Sequence, residues 1–296
     1  MQIRHLEYLV TLEREGHFAR AAACCNVSQP TLSSGLSALE EQLGARLIER
    51  DRRYIGLTAE GRAVLPWAQA MLAAHANMGA AASVVRGPLK GTLRLGAIPA
   101  SMPSVGHFAK AMRATHTGVE VDIRSLTSRE IEAELAAFRL DAGITYIDHD
   151  PPANVMATPL YAERPMLVVA RGHHMAQMTS TRFERALEEP LCLLHQGMQN
   201  RRILDEQLAA RGLTAAPLAT ADSYVALLAL ARSGAFVTIM PDSYRTLLPD
   251  WAHTLTFEEP SYASRIGLII PDRLPRSPLS EAAATVARDL DLPFDR

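Results

Sequence analysis

Ser28-Gln29-Pro30-Thr31-Leu32-Ser33-Ser34-Gly35-Leu36-Ser37-Ala38-Leu39-Glu40-Glu41-Gln42-Leu43-Gly44 holds the pattern on which the fold of the whole chain turns. Ser28 is a favoured N-cap, and Pro30 falls in the first helical turn, where a missing N–H costs nothing; a helix is predicted from here to about Leu43. Leu32, Leu36, Leu39 and Leu43 recur every three or four residues as its apolar face, leaving Gln29, Thr31, Ser33, Ser34 and Ser37 on other faces. One side packs; the other is short, polar and uncharged. Upstream, Phe18-Ala19-Arg20-Ala21-Ala22-Ala23-Cys24 reads as a shorter helix whose small residues admit a close neighbour. Cys25-Asn26-Val27 then has about the length of a helix-turn-helix corner. In such a corner the second helix lies in the DNA major groove with its N-terminal residues at base edges, although an ordinary helical hairpin shares the local pattern.

The chain of 296 residues has room for two or three domains, and 48% hydrophobic content is ordinary for a globular protein. Its apolar runs, such as Ala226 to Ala231, are far too short to span a bilayer, so no membrane partner is expected. Met1-Gln2-Ile3-Arg4-His5-Leu6-Glu7 interleaves charged and apolar residues and does not read as a signal peptide, which points to the cytoplasm. Cys24, Cys25 and Cys192 are odd in number and lack a CxxC pair, against a disulfide framework or zinc site. The net charge of −2 carries no global sign of nucleic-acid binding. Through Arg62, eight arginines balance eight carboxylates, but four of the arginines fall between Arg46 and Arg53, where phosphate contacts are expected.

Arg4 to Glu15 forms an opening helix, which completes a three-helix unit. After Gly44, the segment Leu47 to Thr58 is apolar at both ends and basic in the middle, as in a β-hairpin wing with arginines at its tip. The order of these pieces resembles the winged helix-turn-helix of LysR-type transcriptional regulators. The resemblance rests on Phe18-Ala19-Arg20-Ala21-Ala22, Ser28-Gln29-Pro30-Thr31-Leu32-Ser33, Leu39-Glu40-Glu41-Gln42-Leu43-Gly44, Leu47-Ile48-x-Arg50-x-x-Arg53 and Leu57-Thr58-x-x-Gly61. It implies that Gln29, Pro30, Thr31, Ser33 and Ser34 face bases or adjacent phosphates, while Arg50, Arg52 and Arg53 hold the backbone. Family members commonly carry Arg where Ser34 stands, followed by a larger residue than Gly35, so operator preference does not transfer. Gly35 also costs the helix roughly 1 kcal/mol relative to Ala.

Thr58 caps an Ala-rich stretch from Ala59 to Arg86, with Pro66 inside it and Gly87-Pro88 as its stop. At about 1.5 Å per residue this helix is roughly 40 Å long, and Leu65, Ala68, Leu72, His75 or Ala76, and Gly79 give it a seam suited to packing against a second copy. From Gly91 onward, strand and helix patterns alternate, as in βαβ units with a mostly parallel sheet. This resembles the two-lobed, periplasmic-binding-protein-like effector domain of the same family. The expected architecture is α/β behind a helix-rich N-terminal domain. It comprises 1–58 as the winged helix-turn-helix, 59–88 as the linker and dimerisation helix, and 89–296 as the effector domain. Lobe 1 would be 89–161 with 267–296 and lobe 2 162–266, crossing near Tyr161-Ala162 and Ile266-Gly267.

Ligands of open sheets sit beyond the carboxyl ends of the strands, where helix N-termini offer free N–H groups. Ser101, Thr127 and Ser128 offer hydroxyls there, and Arg201 or Arg202 offers charge from the opposite lobe, so a small anionic effector is expected. From spacing alone Ser128 serves equally as an N-cap, Ser101 as a turn residue, and the arginines as a solvated helix face. Asp222-Ser223-Tyr224 is a weaker corner of the same kind. There is no GxSxG, HExxH, GxxxxGK[ST] or GxGxxG, so no enzyme activity and no cofactor are expected. His173 and His174 are adjacent and their side chains should diverge, so a metal site there would need distant partners. The family implies promoter DNA as partner, a dimer of dimers, and RNA polymerase as a further contact. The competing reading is a solute-binding or enzymatic α/β protein whose N-terminal helices only oligomerise.

Overall fold

The computed structural model describes all residues except 51–53, 151, 259–260 and 295–296, and no side chain at 50 or 83–86. The chain divides into two compact units, one built on Met1–Gly87 and the other on Pro88–Ala136 with Leu140–Arg296. In the first, α1 (Ile3–Glu15), α2 (Phe18–Cys24) and α3 (Gln29–Leu43) precede β1 (Ile48–Arg50), β2 (Tyr54–Leu57) and the 28-residue α4 (Ala59–Arg86). Ser28 caps α3 as expected, accepting the Thr31 N–H at 3.3 Å, and Gly44 ends it at φ 63°. Leu32, Leu36 and Leu39 are fully buried beside Leu6, Leu9 and Leu12 of α1, whereas Leu43, placed on the same face by periodicity, is 43% exposed in the last turn. Gly35 is tolerated by packing: a Cβ there would stand 2.7 Å from the Tyr8 ring.

α4 departs from its expected role along one face. Ala68 is buried, and Leu65 and Leu72 pack on the core of their own unit, so three of the five positions of the anticipated self-association seam are already occupied. Among its described residues, the large apolar side chains left exposed are Trp67, Met71 and Met78, at 73%, 40% and 66%, and at 100° per residue they share one stripe.

The second unit runs β3 (Lys90–Ala97), α5 (Met102–Thr115), β4 (Gly118–Ser125), α6 (Ser128–Ala136), β5 (Ala142–Tyr146), β6 (Val155–Glu163), β7 (Pro165–Ala170), β8 (Ser180–Thr181), α7 (Phe183–Leu187), β9 (Leu191–Leu194), α8 (Gln199–Ala209), β10 (Ala219–Ala221), α9 (Tyr224–Arg232), β11 (Val237–Pro241), β12 (Ala252–Phe257), β13 (Ser264–Pro271) and α10 (Pro278–Arg288). The strands form two sheets, ordered β4-β3-β5-β13-β6 and β10-β9-β11-β7-β12-β8, one per lobe. Both are mixed rather than mostly parallel, because β13 runs antiparallel to β5 and β6, and β7 antiparallel to β11 and β12. β6 and β12 escape the period-two reading. β6 is an edge strand that carries Pro159 opposite Gly267 at an irregularity in the pairing, where a missing N–H is tolerated. Its pairing with β13 from Pro271↔Val155 to Ser264↔Glu163 keeps both strands in lobe 1. The chain therefore crosses at Arg164 and returns before Ser264, not at Tyr161-Ala162 and Ile266-Gly267. The Arg164 backbone is fixed there by N–H donation to Asp242 Oδ1 at 2.9 Å and acceptance from the Asp242 N–H at 2.8 Å.

The wing meets α4 at a backbone contact: a Cβ at Gly61 would lie 2.0 Å from the Leu47 carbonyl oxygen, which also accepts the Thr58 N–H at 3.0 Å. Because backbone cannot swing aside, Gly61→Ala is expected to cost about 1–3 kcal/mol. Amides of α3 would then exchange roughly 10- to 100-fold faster with deuterium, with those of the second unit unchanged.

Candidate functional site

Two surfaces are candidates for function. On the first, the α3 N-terminus exposes Gln29, Pro30, Thr31 and Ser34, with Ser33 half-buried. The Thr31 hydroxyl lies 2.8 Å from Ser28 Oγ, so cap and first turn form one rigid hydroxyl pair. The other end of α3 sets the wing: Glu40 Oε1 accepts the N–H groups of Leu47 at 2.9 Å and Ile48 at 3.2 Å. Sequence reading passed over Glu40, whose place in an Leu-Glu-Glu run resembles a plain solvated face. β1 and β2 pair antiparallel from Ile48↔Leu57 to Arg50↔Tyr54. Arg52 and Arg53, and the side chain of Arg50, lie outside the described residues.

On the second, a small, partly open cavity lies between the lobes. Lobe 1 lines it with Ile98, Pro99, Ala100, Thr127, Ser128 and Tyr146, and lobe 2 with Leu194, Met198, Gln199 and Asn200. Every one of these side chains is neutral. Gln199 and Asn200 are the first residues of α8, and both reach across into lobe 1. Ser128 Oγ donates to Gln199 Oε1 and accepts from Thr145 Oγ1 at 3.0 Å, while Gln199 Nε2 donates to the His149 carbonyl at 2.6 Å. Asn200 Nδ2 donates to Tyr146 Oη at 2.6 Å, and the Tyr146 hydroxyl donates to Glu163 Oε1 at 2.5 Å. A further crossing bond runs from the Tyr244 hydroxyl to the Pro99 carbonyl at 2.5 Å. Thr127 closes a reciprocal cap with Glu130, its N–H and hydroxyl each 2.8 Å from Glu130 Oε2.

Of the residues expected at an effector site, Thr127 and Ser128 line this cavity, and Ser101, Arg201 and Arg202 do not. Ser101 is fully buried with its hydroxyl on the Ile98 carbonyl at 3.0 Å. Arg201 is buried and turned away, with Nε on Asp205 at 2.8 Å and Nη1 on the Leu194 carbonyl at 3.0 Å, and Arg202 folds back to the Gly197 carbonyl at 2.9 Å. The cause is where α8 starts: the spacing alone reads a helix over Arg202 to Ala210, whereas α8 opens at Gln199, which presents two amides to the cavity and winds the arginines past it. Ser223 serves as the N-cap of α9, accepting the Ala226 N–H at 3.3 Å. His173 and His174 do not diverge either; their ring centroids are 4.4 Å apart, since the second residue opens a 3-10 turn.

Glu163 is the electrostatic anomaly of the site. Burial, first, and then the charges of Asp242 and Asp148 push its carboxyl up to about 8, against the opposing hydrogen bond from Tyr146. Burial likewise holds the Tyr146 phenol well above its ordinary value, which keeps it a donor. Glu163 Oε2 has no hydrogen-bond partner among the described residues.

A helix-turn-helix with a wing, joined through a long helix to two α/β lobes around a neutral cavity, defines a DNA-binding transcriptional regulator with an effector domain rather than an enzyme. Residues 3–62 match the family "Bacterial regulatory helix-turn-helix protein, lysR family", and residues 86–291 match "LysR substrate binding domain". The chain belongs to the LysR family of transcriptional regulators. It is 33% identical over 255 residues to a "Probable hydrogen peroxide-inducible genes activator" of Mycobacterium leprae, across 81% of this chain and 78% of that one. Among solved structures, a full-length OxyR variant from Pseudomonas aeruginosa is similar at TM-score 0.75 and 24% identity, covering 98% of this chain and 99% of that one. The regulator CbnR complexed with its target DNA follows at TM-score 0.72 and 22% identity, covering 98% and 100%. No helix among the described residues is long and apolar enough to cross a membrane.

Raising a buried carboxyl above its unfolded value near 4.3 means that the folded state holds a proton which the unfolded state has lost. The stability Glu163 contributes is therefore fully present below that unfolded value and is lost as pH climbs toward about 8. Urea titrations between pH 5 and 8 should show falling stability in the wild type, by an amount on the order of a few kcal/mol, and a flatter profile in Glu163→Gln.

Proposed function

We propose that this regulator acts in the cytoplasm as a dimer of dimers on promoter DNA, and that a compact effector with one acidic group works by taking over the contacts between α6 and α8. The observation that carries this reading is the Ser128–Gln199 hydrogen bond, which joins the first turns of two helices from different lobes inside one cavity. Both helix N-termini favour negative charge, and with the arginines turned away they are the source of that preference. Ile98, Leu194 and Met198 supply apolar wall for the rest of the ligand. Selection of one lobe arrangement would then change the spacing of paired DNA-binding units, and RNA polymerase would read that spacing.

A thiol-based peroxide response, suggested by the names of its relatives, is disfavoured in the effector domain. Its one cysteine, Cys192, is fully buried, and burial pushes its thiol up to about 11, far from the thiolate that oxidation requires.

For DNA, Gln29, Pro30, Thr31, Ser33 and Ser34 are assigned to base edges or adjacent phosphates, and Arg50, Arg52 and Arg53 to the backbone. Self-association is assigned to the exposed α4 stripe of Trp67, Met71 and Met78.

Thermal-shift screening should find carboxylates that raise Tm by several degrees, with neutral analogues inert and the response lost in Gln199→Ala; stabilisation by neutral or cationic compounds alone would refute the acidic effector. Footprinting of upstream DNA should protect about 50 base pairs or more, the span of more than one helix-turn-helix pair. Trp67→Asp should lower the sedimenting mass and shorten that footprint, and an unchanged mass would move the interface off the stripe.

A further inference from the structure

Away from both surfaces, lobe 2 gathers three metal-ligating side chains at one end of its sheet. The turn after β7 presents His173 and His174, fixed by the His173 N–H on the Ala170 carbonyl at 2.9 Å. Glu189 lies between α7 and β9, with its N–H on the Ala186 carbonyl at 3.4 Å. Its carboxylate faces both rings: Oε1 is 3.0 Å from His174 Nε2, and Oε2 is 3.5 Å from His173 Nε2. All three ligand atoms lie within 4.8 Å of one another.

We propose that His173, His174 and Glu189 form a binding site for one divalent transition-metal ion of the zinc class, separate from the effector cavity. With bonds of about 2.0–2.1 Å, the ligand atoms of a tetrahedral zinc stand about 3.3–3.4 Å apart, and each imidazole nitrogen already sits near that spacing from one carboxylate oxygen, His174 from Oε1 and His173 from Oε2. Two imidazole nitrogens and one carboxylate suit zinc and its neighbours, whereas calcium and magnesium demand oxygen ligands. The fourth position falls to solvent, which has access because the His174 side chain is 61% exposed, while His173 and Glu189 are held at 10% and 14%.

The site is preorganised at one cost. His173 Nδ1 accepts the Met175 N–H at 3.3 Å, so the neutral ring carries its proton on Nε2, pointing at Glu189. Ligation requires the other tautomer, with the proton on Nδ1 and Nε2 free for the metal, and it breaks that long cap bond. Metal binding therefore loosens the first turn of His174–Gln177 while clipping it to the α7–β9 connection.

The test uses the full chain, with zinc titrated against a chromophoric chelator and cobalt as the optical reporter. The wild type should take up one more equivalent than His174→Ala, with a tetrahedral cobalt spectrum, and Glu189→Gln should weaken that equivalent by more than about tenfold. Circular dichroism and operator binding of His174→Ala should match the wild type, since this exposed ring carries no part of the core. Equal metal uptake by the wild type and His174→Ala, or none by the wild type at micromolar metal, overturns the proposal.

Discussion

Two amide side chains at the start of α8 hold the lobes of the effector domain together. Gln199 and Asn200 each make a bond into lobe 1, to Ser128 and the His149 carbonyl in one case and to Tyr146 in the other. Amides suit this position because each offers donors and an acceptor without the desolvation cost of a charge. They also form contacts that a ligand can copy: a carboxylate accepts where the Gln199 carbonyl oxygen accepts. The cavity is thus closed by groups of the chemistry its proposed effector would bring.

Behind Asn200 the network ends on a carboxyl that burial holds in its protonated range near neutrality. Tyr146 links the two, buried and committed as a donor. Glu163 is the last residue of β6 and precedes Arg164, where the chain passes between lobes, so its proton sits at the pivot. Moving Tyr146 to serve a ligand would alter the hydrogen bond that steadies this carboxyl.

The DNA-binding unit was legible almost residue by residue. Its caps, its turn and its leucine spacing are local signals, and α3 runs from Gln29 to Leu43 as read from Ser28 and Gly44. Tertiary choices were not legible in the same way. Nothing in the spacing of Leu65, Ala68 and Leu72 tells whether they face another copy or their own core. In the effector domain a three-residue difference in where α8 begins exchanged two arginines for two amides and changed the electrostatics of the cavity. No strong cap marks that start: Met198 is the N-cap and makes no side-chain bond. Glu189 stands fifteen positions from His174, a pairing that only the turn at Gly172 and the short α7 bring about.

The uncharged face of α3 has a consequence for how the protein searches a chromosome. Non-specific attraction to DNA comes from counterions released by fixed cations, and through Arg62 the arginines only balance the carboxylates. The cations available to random sequence are therefore the few gathered between Arg46 and Arg53, after the helix and not on its face. On the proposed reading, what would keep the protein at an operator is the fit of Gln29, Thr31 and Ser34 in a groove, repeated in each copy that binds alongside. Occupancy would then follow how many heads land together, which would make the geometry of the assembly, more than the grip of any one head, the quantity the proposed effector moves.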